Sequence, residues 1–217
     1  MANMKGMILA SVMTMSLSGC QKVAPEAAAS KTSKLKDFLS KTDLLLKIQR
    51  LRLDALVLPE DNKDTLNGSI KSHWIPAQIS ILPVTVEEVN KKDSEVRGAN
   101  ITVQDDYFVI SGYGSPTEGK HSNGQASLDL DELVDMQTAI TYMQDAAKQW
   151  RVKNPSDDTI IRFKSKDGLS LELEQDDDTK KVVFALSIDG TSVTFGDDQL
   201  AALSGKLSNS IEELKKR

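Results

Sequence analysis

The sequence predicts an α+β domain: an antiparallel sheet with a C-terminal four-strand meander, packed against amphipathic helices. Three observations lead there. Leu133, Met136, Ile140, Met143, Ala147 and Trp150 recur at 3-4-3-4-3 spacing, which puts them on one face of a helix. Four short β-rich runs follow, and in one of them Leu169, Leu171 and Leu173 alternate with Ser170, Glu172 and Glu174, the pattern of a half-buried antiparallel strand. Leu200, Leu203, Leu207, Ile211 and Leu214 then form a second helical stripe. A run of consecutive strands flanked by helices is the α+β order, not the alternation of a parallel sheet.

From the amino terminus, residues 1–19 read as an export signal. Lys5 supplies the positive start, and Met7 to Leu17 is an uncharged stretch, shorter than the roughly 20 residues that span a bilayer. The stretch ends in Leu17, Ser18, Gly19 and Cys20, the only cysteine in the chain. This tetrad resembles the lipobox of bacterial lipoproteins: a branched apolar residue, two small ones, then cysteine. The resemblance implies a diacylglycerol thioether on Cys20, cleavage just before it, and acylation of the new amino terminus. Two or three acyl chains are needed, because a single chain holds a membrane only marginally. It also implies a cell-envelope location, and Gln21 in place of Asp after the cysteine favours the outer membrane in a Gram-negative host. With Cys20 lipidated, the mature chain would hold no disulfide and no cysteine-based metal site.

Residues 20–34 read as the lipidated cysteine and a flexible tether. Gln21 to Lys34 is rich in Ala, Ser and Lys without an apolar period, and its expected root-mean-square span is about 20 Å. Residues 35–217 would form one domain, enough chain for a real core. Loss of Lys5 with the signal leaves 26 basic against 32 acidic side chains, a net −6. The distribution is uneven: residues 22–56 carry eight Lys/Arg against four Asp/Glu, and 57–217 carry 18 against 28. A basic membrane-proximal arm suits anionic headgroups, and a solvated helix with surplus Lys is the plainer alternative. The acidic body argues against nucleic acid as a partner.

Within the domain, a helix is expected over about 35–58. Leu35, Phe38, Leu39, Leu45 and Leu46 fall near one stripe, and Leu44, Ile48, Leu51, Ala55 and Leu58 near another. The stripes do not coincide, which points to a break near Thr42–Asp43, and "LLLKIQRLRL" also accepts an alternating strand reading. Residues 69–89 are ambiguous, since Pro76 and Pro83 permit only an edge or broken strand. Ile101 to Ser111 is β-rich, with Asp105-Asp106 as a hairpin turn, and Gly112 to Gln125 reads as a long, polar, glycine-rich loop. Residues 100–217 are the better-defined part. A helix over about 130–151 starts behind Asp129, with Glu132 three residues on as its capping partner. Strands follow at about 159–165, 169–175, 181–188 and 191–195. Lys166-Asp167-Gly168 and Asp189-Gly190 mark tight turns, Asp176–Lys180 a looser one, and a last helix covers about 197–215. Leu133, Met136, Ile140 and Ala147 map onto Leu200, Leu203, Leu207 and Leu214 at a constant offset of 67. A duplicated strand–helix unit gives this match, and so do any two amphipathic helices with acidic starts.

The mature chain is poor in catalytic material. Its histidines are His73, beside Trp74, and His121, in the glycine-rich loop. Two histidines without cysteine make no closed zinc set. "GYGSP" (Gly112 to Pro116) fits neither the G-x-S-x-G elbow nor the dinucleotide fingerprint, whose third glycine is replaced by Thr117. Asp129, Asp131 and Glu132, like Asp176–Asp178, do not match a calcium loop. The expectation is no catalytic set, no metal and no cofactor. Tyr113, Ser115 and His121 make the loop the first place to look for a ligand. The sequence therefore reads as a lipid-anchored envelope protein with a binding domain for another envelope component. An inhibitor or immunity-type protein blocking a basic toxin or lytic enzyme is the alternative, and a carboxylate-based envelope hydrolase the third.

Overall fold

The structure, a computed structural model, describes residues 32–59, 65–67, 70–111, 117–119, 121–152, 159–175 and 181–217. In chain order the elements are α1 (Lys34–Leu39), β1 (Leu46–Arg50), β2 (Asp54–Val57), β3 (Thr65–Asn67), β4 (Ile70–Ile75), β5 (Gln78–Glu88), β6 (Val96–Gln104), β7 (Tyr107–Ser111), β8 (Thr117–Glu118), β9 (Asn123–Asp129), α2 (Leu130–Val152), β10 (Ile161–Lys164), β11 (Ser170–Gln175), β12 (Val182–Ile188), β13 (Thr191–Phe195) and α3 (Asp197–Lys215). Three antiparallel sheets result. The first runs β1-β5-β6-β9, with β2 continuing the β1 edge along β5; the second runs β10-β11-β12-β13; the third runs β3-β4-β7-β8. The fold class is α+β, and the C-terminal meander and both long helices lie where the apolar periods put them.

The first and second sheets are built to one plan: an antiparallel meander, then a helix. The offset of 67 holds in detail. The Asp129 N–H donates to Glu132 Oε2, and the Gly196 N–H donates to Gln199 Oε1, each at 3.2 Å. Strand pairing repeats as well, since Ile101 faces Ala126 where Leu186 faces Val193. Leu133, Met136, Ile140 and Ala147 are buried, as are Leu200, Leu203, Leu207 and Leu214. Where the helices meet, Gln137 Nε2 donates to Ser204 Oγ at 2.7 Å, and these two residues are themselves 67 apart.

Both units share one core. It draws on Ile79, Ile81 and Ile101 from the first sheet, Leu171, Phe184 and Leu186 from the second, and the stripes of both helices. The sheets touch at Gly124, where a Cβ would stand 2.2 Å from the Ile188 carbonyl oxygen. A glycine is required there for space. Asp189 and Gly190 turn β12 into β13 with φ of 50° and 83°, the left-handed pair of a tight hairpin.

The expected helix over 35–58 is corrected to one and a half turns followed by two strands. Ser33 caps α1 by accepting from the Lys36 N–H at 3.1 Å, and the helix stops at Ser40. Leu35 with Val84 and Val86, joined by Phe38, Leu39 and Leu46, forms a second apolar cluster on the face of the first sheet opposite the main core. α1 is thus a strap over that face. Beyond it, pairing of Leu46–Arg50 and Asp54–Val57 with β5 overrides the helical stripe.

Pro83 sits inside β5, paired on one side with Ala99. Its carbonyl accepts from the Leu51 N–H on the other side, so its missing donor faces the interval between β1 and β2. Proline is tolerated in a central strand because the neighbouring strand is broken there. Asp105-Asp106 is not a hairpin turn: β6 pairs with β5 and β9, whereas β7 pairs with β4 and β8, so the two residues carry the chain between sheets. The expected loop Gly112–Gln125 is also shorter than its glycines suggest. Thr117–Glu118 pairs with β7, and Asn123 onward pairs with β6.

Candidate binding surface

The third sheet is what distinguishes the first unit from the second. It grows from the two connections at one end of the first sheet, β2 to β5 and β6 to β9. The equivalent connections in the second unit are the turns around Asp167 and Asp189-Gly190. Among the described residues the third sheet's principal neighbours are its own strands. On one face of it Phe108 and Ile110 are exposed, whereas an antiparallel sheet with one face on the core turns polar residues to the other.

Its residues are uneven in chemistry. Trp74 lies directly opposite Phe108, with ring centroids 5.5 Å apart and planes tilted by 60°. Phe108 is 36% exposed, and Ile110, on the same face two residues along, is 37% exposed. Gly119 lets this arrangement form: its N–H donates to the Phe108 carbonyl at 2.6 Å, and a Cβ there would stand 2.8 Å from the Phe108 ring. On the face opposite Phe108, Tyr107 stacks on His121 at 4.5 Å and 28°. Four of the chain's ten aromatic residues and both histidines fall between positions 70 and 121. A half-exposed aromatic–aliphatic face of this kind is the composition of a recognition surface.

The sequence-derived site residues divide accordingly. Leu17, Ser18, Gly19 and Cys20 lie outside the described residues. Tyr113 and Ser115 also lie outside them, in the connection from β7 to β8. His121 is described, exposed and held by the Tyr107 ring. The residues that sequence reasoning passed over are Tyr107, Phe108 and Ile110; Trp74 was noted only as the neighbour of His73. The signal that could have found them is the clustering of rings and histidines in two segments of an aromatic-poor chain.

A second polar cluster lies where the amino-terminal segment meets the domain. Asp129 accepts from the Lys34 and Leu35 N–H groups at 2.9 and 2.8 Å. Glu132 accepts from the Asp129 N–H and, at 2.8 Å, from the Lys166 N–H. Asp167 accepts from the Ser127 N–H at 2.8 Å and pairs with the Lys36 ammonium. That pairing raises the Lys36 pKa above its usual 10.5, chiefly through the hydrogen bond to Asp167. All three carboxylates are nearly buried and spend their lone pairs on the chain's own donors. The capping role expected for Glu132 toward Asp129 is present, and the Asp129 carboxylate caps α1 as well as lying beside its own helix. Among the described residues no group of three or more His, Cys, Asp or Glu is arranged to hold a metal ion. Among them, too, no helix is long and apolar enough to cross a membrane.

No model of a known protein family matches the chain, and no curated protein matches it.

Proposed function

We propose that this chain is a lipid-anchored envelope protein whose domain binds another envelope component through the inserted third sheet, without catalysing a reaction. The lipobox-like Leu17–Cys20 motif supports the anchor. The observation that carries the binding reading is the half-exposed Trp74–Phe108–Ile110 face, together with its place relative to the tether. The described chain enters the domain beside Asp129, on the cross-strand row Val84, Gly98, Asp129. The third sheet joins at the row Gln78, Gln104, Asn123, six residues away along β5, or about 20 Å at 3.4 Å per residue. An anchor at one end would hold the aromatic face away from the lipid and toward a partner.

Two measurements test this. The intact mass of the mature chain should equal residues 20–217 plus diacylglyceryl and acyl groups; an unprocessed start or a bare thiol would remove the anchor. A photo-crosslinking side chain at Phe108 in intact cells should capture one discrete partner, while the same probe at exposed Tyr142 on α2 should not. Saturable turnover of a glycan or peptide by the purified domain would overturn the non-catalytic reading.

A further inference from the structure

An acidic chain would not be expected to gather cations around one groove, yet the described residues of this one do so. A groove of about 550 Å³ opens between the β1 edge and the carboxyl end of α3, with Arg50, Arg52, Lys216 and Arg217 lining it against the single acid Glu213. Of the four cations only Arg52 has an ion-pair partner among the described residues, Asp54 at 3.9 Å. Lys216 and Arg217 complement the negative end of the α3 dipole. Arg50 and Arg52 come from far earlier in the chain, and no helix end explains them. Placing four positive side chains around one groove raises a local potential that water and salt only partly screen.

The groove also has a position relative to the tether. Arg50 pairs with Val84, Val84 with Gly98, and Gly98 with Asp129, the residue that holds Lys34 and Leu35. Three strand spacings of about 4.8 Å put the groove's edge roughly 14 Å across the sheet from the tether's entry. Residues 21–31 lie outside the described residues, and a chain of eleven residues reaches at most about 40 Å whatever its conformation. An anchor at Cys20 would therefore hold this row of the domain within about 40 Å of the lipid.

We propose that the groove seats the phosphate groups of anionic phospholipids, so that the domain rests on the membrane carrying its anchor with Arg50, Arg52, Lys216 and Arg217 facing the headgroups. The orientation rests on the lipid-anchor reading; the groove's preference for anionic lipid does not. It follows that the third sheet, at the other end of β5, points away from the bilayer.

The test uses the chain from residue 21, without lipid. That chain keeps every residue of both apolar clusters, which run from Leu35 to Leu214, so it retains the whole core. Vesicles of equal phosphatidylglycerol and phosphatidylcholine should bind it in low salt, and pure phosphatidylcholine vesicles should not. A cation near an anionic surface contributes about 1 kcal/mol, so Arg50→Ala with Lys216→Ala should weaken partitioning roughly thirty-fold. Lys148→Ala with Lys164→Ala removes the same charge from exposed sites outside the groove and should change it less than three-fold. Absence of binding to the anionic vesicles, or equal loss in both double variants, overturns the proposal. Saturable binding of soluble glycerol phosphate at Arg50 without vesicle binding would overturn it too, and would assign the groove to a soluble anion. Because the tested chain has no lipid, these outcomes are independent of the mass measurement on Cys20.

Discussion

The Asp129 carboxylate accepts the backbone N–H of Leu35 at 2.8 Å, across 94 residues of sequence, and that of Lys34 at 2.9 Å. A side chain at the end of β9 thereby supplies the first turn of α1 with two of the acceptors a helix start lacks. The six-residue α1 is too short to be stable alone. It persists because Asp129 and Ser33 cap it, Lys36 pairs with Asp167, and Leu35 fills the space left by Gly98.

Asp129→Ala should therefore release the strap. One buried donor, the Leu35 N–H, and one part-buried donor, the Lys34 N–H, lose a charged acceptor, which costs about 2 kcal/mol. Urea denaturation should report that loss. Trypsin should cut faster after Lys34, Lys36 and Lys41 in the variant than in the parent.

Two glycine replacements should have opposite signs. Gly124→Ala forces a Cβ to 2.2 Å from the Ile188 carbonyl and should destabilise by about 3 kcal/mol. Gly205, inside α3, has open space at its Cβ, and Gly205→Ala should stabilise by about 0.8 kcal/mol. Melting temperatures of the two variants should bracket that of the parent.

Ser210 is 1% exposed, and its hydroxyl has no hydrogen-bond partner among the described residues. Removing an unsatisfied buried group relieves its desolvation, so Ser210→Ala should stabilise the protein by about 1 kcal/mol in denaturant titrations. A loss of stability of similar size would mean that the hydroxyl is bonded in solution.

Glu172 titrates below the usual glutamate value of 4.5, first because Arg162 hydrogen-bonds to it and then because Ser170 does, against the opposing effect of burial. The Arg162 Nε stands 2.9 Å from Glu172 Oε1, and the Ser170 hydroxyl 2.8 Å from it. A depressed carboxylate pKa contributes stability that is present above 4.5 and lost as pH falls through the folded value. Both partners are partly exposed, so the contribution is below about 1 kcal/mol. Arg162→Ala should raise the Glu172 pKa toward 4.5 in a carboxyl NMR titration and reduce the loss of stability below pH 4.5.

Legibility along the chain followed the range of the forces involved. α2, α3 and the four strands of the second unit were readable because their apolar periods and turn residues are local: Gly168 and Asp189-Gly190 adopt positive φ where the turn signals stand. The amino-terminal half was harder for an identifiable reason. "LLLKIQRLRL" satisfies helical and alternating patterns equally, and only the pairing of Ile48 with Val86 and of Leu56 with Ile79 decides between them. The third sheet was hidden by its short strands and by Gly119, and the start of β9 by Gly124; both glycines read as loop yet serve close packing. His121 was visible as a residue, but Tyr107 beneath it and the Trp74–Phe108 pair were not, because ring contacts between β4 and β7 have no sequence period.

What the sequence determined by itself is the α+β class, the second unit almost to the residue, and the likeness of Leu17–Cys20 to a lipidation motif, since each depends on neighbours within a few positions. Only the tertiary structure decided that two meander–helix units share one core, that Asp129 straps down a segment 94 residues earlier, and that Arg50 and Lys216 line one groove. Those relations follow from burial and pairing between distant segments, which obey geometry in space and leave no periodic trace along the chain.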